Sequence, residues 1–129
     1  VVVQRRRIAL DEGRAALAAW QEANPGQADA PAAAPLPRAT LATAVRYSLE
    51  EVTARAPGNS VEVRVPPYGV TQCVEGPRHT RGTPPNVIEC DAGTWLEMVS
   101  GRLGWAEAVD AGRVAASGLR ADLSGLLPL

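Results

Sequence analysis

Phenylalanine and lysine are absent from this chain of 129 residues, and histidine and methionine occur once each. Without phenylalanine, an apolar fraction of 46% that is rich in alanine must build its core on Val, Ala and Leu. Three tryptophans are its bulkiest pieces. Such a core has few large side chains to fill it, so a void inside it is a plausible expectation. All 13 basic residues are arginine, and 14 acidic residues bring the net charge to −1. That balance lacks the basic footprint of a nucleic-acid binder, so no nucleic-acid partner is expected. Two cysteines, Cys73 and Cys90, are too few for a disulfide framework or a cysteine metal site. No metal or other cofactor is expected. No apolar run approaches the roughly 20 residues that cross a bilayer. The opening Val-Val-Val-Gln-Arg-Arg-Arg places its charges after its apolar residues, the wrong order for a secretory signal. The expected location is cytoplasmic, with reduced thiols.

What is present divides the chain into an N-terminal helical segment (1–24), a Pro/Ala linker (25–37) and a domain (38–129). In the first, Leu10, Gly13, Leu17 and Trp20 recur at helical spacing over residues 8–23. Asn24-Pro25-Gly26 ends that helix. The linker holds four prolines and no large apolar residue except Leu36, which leaves the first helix an arm able to dock in more than one way. Leu41, Val45, Leu49 and Val52 mark a second helix over 39–56, with Arg46 and Tyr47 off the stripe. Val61, Val63 and Val65 alternate with Glu62 and Arg64, the cleanest strand signature in the chain. After Pro66-Pro67-Tyr68-Gly69, residues 70–75 return as a hairpin partner, with Val70, Gln72 and Val74 on one face. A third strand over 86–90 leads to Asp91, placed to cap a helix beginning at Ala92. Gly101 stops that helix, Gly112 caps a short one over 105–111, and a last strand covers 113–117. Leu119, Leu123, Leu126 and Leu127 then form an apolar tail stripe. The order predicts an α+β domain, a mainly antiparallel sheet covered on one face by helices.

The stretch after Asn86 is the most informative. A helix ends at Gly101, and Ala106–Ala111 forms a short Ala-containing helix. Gly112, Arg113, an alternating strand and Gly118 follow, then a Leu-rich tail. That run resembles the C-terminal half of the sterol carrier protein 2 family. The Val-Arg-Val-Pro-Pro turn and the Gly-Pro-x-His-Thr-Arg-Gly-Thr-Pro-Pro-Asn loop are similar to those of small actinobacterial sterol-carrier-like proteins. The resemblance covers about residues 39–129. It implies a sheet of about five strands, of which four are readable here, and helices enclosing an apolar tunnel closed in part by the C-terminal segment. It also implies loose binding of fatty acids, fatty acyl-CoA and related lipids. The family's peroxisomal tail signal is absent from the Leu126-Leu127-Pro128-Leu129 end.

Candidate ligand-binding residues follow. Trp95, Met98, Val99, Leu103, Trp105, Leu119, Leu123, Leu126 and Leu127 suit an adaptable cavity and its lid. From spacing alone they equally suit an ordinary core. Arg78, His79 and Arg81 gather two guanidinium groups and an imidazole in a glycine-bearing loop, a candidate anion or headgroup site. The same loop can simply be solvated, its arginines paired with Glu62, Glu75 or Glu89. His79 alone has no serine or cysteine in a nucleophile-elbow context, so no catalytic residue is assigned and the chain is not expected to be an enzyme. Arg5, Arg6 and Arg7 give at most transient membrane contact, since Asp11, Glu12 and Glu22 oppose it. The expected partner is an apolar small molecule such as a fatty acid or acyl-CoA. Two other readings stay open. One is a filled-core interaction module able to form a homodimer. The other is the substrate-binding accessory domain of a thiol-dependent enzyme.

Overall fold

The computed structural model describes residues 6–25, 35–77 and 85–129. Helix α1 spans Leu10–Ala23 and α2 Arg38–Arg55. Strands β1 (Val61–Val65), β2 (Gly69–Cys73) and β3 (Val87–Cys90) follow. Helices α3 (Ala92–Val99) and α4 (Trp105–Asp110) then lead to β4 (Val114–Ser117). The strands form one sheet in the order β2-β1-β3-β4. This is the expected mixed α+β architecture, with two differences. Four strands, not about five, lie among the described residues. And although β1–β2 and β3–β4 pair antiparallel, β1 and β3 run parallel.

The parallel pair has a simple cause. The chain leaves β2 at Cys73, opposite Val61, and re-enters the sheet at Val87, opposite Glu62. Both points lie at the same end of β1, on its two sides. A strand antiparallel to β2 but seated beyond β1 must run parallel to β1. Ser60 and Asn86 fix this corner: Ser60 Oγ donates to Val74 O at 2.7 Å, and Asn86 Nδ2 donates to Ser60 O at 2.8 Å.

The hairpin register also decides which side of β2 faces inward. Val63 sits opposite Thr71 and Val61 opposite Cys73, so Thr71 and Cys73 share the buried face of β1. Val70 therefore points outward and is 60% exposed. The strand stops where Val74 takes a left-handed conformation at φ 64°.

Helices α2 and α3 cover the face bearing Val61, Val63, Val65, Ile88 and Cys90. The opposite face carries Glu62, Arg64 and Glu89 beside an open groove of about 500 Å³. Thr53 ties α2 to the edge strand, meeting Thr71 Oγ1 at 2.5 Å and donating to Gln72 O at 2.8 Å. Along α2 the apolar stripe is as read, with Val45, Leu49 and Val52 buried, but Tyr47 is buried too. Its ring is covered by α1, whose Gly13 backbone lies directly on it. On α1 the buried residues are Gly13, Ala16 and Trp20, while Leu10 is 40% exposed.

Asp91 caps α3, its Oδ1 accepting from Thr94 N at 2.7 Å. That bond holds the Asp91 carboxyl below its ordinary range, because only the ionised form accepts it fully. A lowered folded-state pKa gives stability that is complete above the ordinary carboxylate range and lost as pH falls through the lowered value. Asp91→Ala should therefore cost about 1 kcal/mol in urea unfolding at neutral pH. The gap between the two proteins should narrow in acid; a gap independent of pH would contradict the cap.

Candidate functional site

The space between the helices and the sheet is apolar, and α3 contributes most of its bulk. Trp95, Leu96 and Met98 are at most 1% exposed and Val99 2%. Eight residues make barely two turns, so α3 is held by what it touches rather than by its own helical propensity. The anchor is polar. Trp95 Nε1 donates to Ser48 Oγ on α2 at 2.7 Å. Ser48 Oγ in turn lies 2.9 Å from Ala44 O and 2.8 Å from Val45 O. A buried indole N–H without a partner is costly, so this bond sets the rotation of α3 against α2.

The C-terminal segment crosses the end of α3 as a strap of turns rather than a helix. Leu123 is fully buried, and its carbonyl accepts from Leu126 N at 2.9 Å and Leu127 N at 3.1 Å. Leu129 N donates to Val99 O at 3.1 Å. Leu126, Leu127 and Leu129 are half-buried and pack on the core. Gly101, at φ +79°, turns the chain out of α3 beneath Pro128.

The structure thus brings Trp95, Met98, Val99 and Leu123 into one buried cluster. Leu103, Trp105, Leu126 and Leu127 pack at its margin. Leu119 stands apart, fully exposed in the turn after β4. Arg78, His79 and Arg81 lie outside the described residues. The base of their loop is described: Gly76 lies against the Arg120 guanidinium, and Asn86 Oδ1 accepts from Arg120 N at 2.9 Å. Ser48 and Leu129 were missed by sequence reasoning. Ser48 had a signal, standing three residues after Val45 and four before Val52 on the buried side of α2. Leu129 had none, since nothing local separates it from an ordinary chain end.

Among the described residues, two grooves stand out as open clefts rather than closed tunnels. One, of about 400 Å³, separates α1 from α2; the other lies on the outer face of the sheet. Neither is lined by the apolar set above. Cys73 and Cys90 are free and buried, on strands that flank β1 on opposite sides. Burial pushes the Cys73 thiol up to about 11. Burial, with help from Asp91 and Glu89, pushes Cys90 up to about 12. Both are therefore poor nucleophiles near neutral pH. Among the described residues no group of His, Cys, Asp and Glu side chains is arranged to hold a metal ion. Among them, too, no helix is long and apolar enough to cross a membrane.

The Ser48–Trp95 bond can be measured. Ser48→Ala strands the indole N–H and should destabilise the protein by about 1–3 kcal/mol. In a Trp95→Phe background the same change should cost clearly less, giving a coupling of about 1 kcal/mol in a double-mutant cycle. Additive losses would show that the bond does not join the helices.

No curated protein matches the chain. Residues 37–129 match a family model described as bacterial SCP ortholog. The matched stretch holds α2, the whole sheet, α3, α4 and the strap, and leaves α1 outside. The chain belongs to this bacterial family of sterol carrier protein-like proteins.

Proposed function

We propose that the protein binds and carries an apolar small molecule, a fatty acid or acyl-CoA-type lipid, without altering it chemically. Family membership supports apolar binding at a coarse level. The observation that carries the finer reading is the strap. Residues 123–129 bury leucines against α3 with few backbone bonds to it, so the strap can lift while the sheet and α3 stay folded. Lifting it would expose the apolar layer beneath α3 on the side of Met98 and Val99. Met98 can then reshape around a chain, because its side chain is unbranched and polarisable.

Burying a hydrocarbon chain contributes about 0.8 kcal/mol per methylene. A chain of about ten methylenes gains roughly 8 kcal/mol before the costs of ordering it and displacing the strap. Arg78, His79 and Arg81 would meet the carboxylate or phosphate, guanidinium groups being suited to bidentate contact with either. Function by binding rather than covalent chemistry accords with two thiols that burial keeps protonated.

A second reading draws on the tight packing of Trp95, Leu96, Met98 and Leu123. Here the core is filled, and the strap and α1 form a protein interface. Titration with a fluorescently labelled fatty acid separates the two. Carriage predicts saturable binding that unlabelled fatty acid reverses, on a protein whose sedimentation does not depend on concentration. No saturable binding, with concentration-dependent self-association, would replace carriage by the interaction module.

A further inference from the structure

The outer face of the sheet holds an open groove of about 500 Å³, away from the apolar layer beneath α3. Strand register sets its floor. On β1, Glu62 and Arg64 face outward between the buried Val61, Val63 and Val65. On β3, Glu89 stands outward between the buried Ile88 and Cys90. The parallel pairing puts Arg64 directly beside Glu89, on strands about 4.8 Å apart. The wall is the turn from β1 to β2, where Pro66, Pro67, Tyr68 and Val70 line the groove. That turn is well held. Tyr68 N donates to Val65 O at 2.9 Å, and Arg46 Nε on α2 donates to Tyr68 O at 2.8 Å. Behind it Gly69 rests on α2, where a Cβ would come 3.1 Å from Leu49 Cδ1.

The charges on the floor are unevenly matched. Arg64 has Glu62 and Glu89 as neighbours and pairs with the first, its Nε donating to Glu62 Oε2 at 2.5 Å. The Glu62 side chain is only 16% exposed, so this charge-assisted bond is partly desolvated and holds the guanidinium in one orientation. The far edge of that guanidinium, Nη1 and Nη2, has no protein partner among the described residues. Glu89 is exposed and makes no ion pair among them. Two opposite charges therefore stand side by side, each with its bonding capacity turned to the groove and an apolar wall next to them.

We propose that this groove binds a small zwitterion, an α-amino acid with an apolar side chain. Its carboxylate meets the Nη edge of Arg64, a geometry that guanidinium satisfies with two parallel bonds. Its ammonium meets Glu89, and its side chain lies on Tyr68, Pro66 and Val70. A simple anion would be repelled by Glu89 and a simple cation by Arg64, so the pair selects a ligand that carries both charges. The groove has the size of small-molecule sites. Being open, it leaves much of the ligand in solvent, which sets the dissociation constant on the order of 1 mM. The site shares no residue with the apolar set and stands or falls independently of lipid carriage.

The test is an amide chemical-shift titration of the full chain with L-phenylalanine, phenylpropionate, which lacks the ammonium, and phenethylamine, which lacks the carboxylate. L-phenylalanine should give saturable shifts centred on Arg64, Tyr68, Val70 and Glu89. Each single-charge analogue should bind about tenfold more weakly. Glu89→Gln disturbs no ion pair among the described residues and should lower the affinity for L-phenylalanine to that for phenylpropionate, whose own binding it does not weaken. Arg64→Gln should lower it to that for phenethylamine. A selective loss of this kind marks direct contact, since a merely structural effect would weaken all three ligands alike. No saturable shift at tens of millimolar would overturn the proposal. So would shifts centred elsewhere, or phenethylamine binding as tightly as L-phenylalanine, which would make the groove a site for cations alone.

Discussion

One hydrogen bond organises the helical layer. The Trp95 indole N–H is buried and has Ser48 Oγ as its partner. Because α3 follows β3 after a single residue, Asp91, fixing α3 against α2 also fixes how α2 lies over the sheet. Thr53 repeats the arrangement at the other end of α2, reaching β2 through Thr71 and Gln72. Two hydroxyls on one helix thus align an otherwise apolar layer that packing alone would leave free to slide. Directional bonds specify geometry, while the surrounding Val and Leu side chains supply most of the free energy.

With that layer fixed, the remaining elements differ in how firmly they are held. The sheet and α2 are joined by continuous apolar contact and by strand pairing. The strap and α1 each cover the end of α3, the strap through half-buried leucines and α1 through small residues and end-fastened polar groups. Of the two, α1 buries Gly13, Ala16 and Trp20, whereas the strap buries only Leu123 fully, and local opening takes place where buried apolar contact is thinnest.

Much of the fold was legible because local rules and the global fold agree. The Val61–Val65 alternation, the Asp91 cap and the breaks at Gly101 and Gly112 each rest on a short-range cause. What was misread needed long-range information. Val70, Gln72 and Val74 read as one face of a strand over 70–75, and only register against β1 shows that Thr71 and Cys73 take the buried side and that β2 ends before Val74. Tyr47 looks like a surface residue of α2 until α1 is laid upon it. The parallel pairing of β1 with β3 depends on which side of β1 the chain returns to, and composition carries no record of that. The apolar set was legible as a group. Its division was not: Trp95 and Met98 lie inside, Trp105 and Leu103 at the margin, and Leu119 in solvent.

The central claim is that the apolar layer beneath α3 accepts a hydrocarbon chain. Native mass spectrometry of the protein purified from its own host, followed by lipid extraction, tests it most directly. The account predicts a bound species that extracts as a fatty acid or acyl lipid and that added fatty acid replaces. A protein that carries no lipid and takes up neither fatty acid nor acyl-CoA at saturating concentration would contradict it.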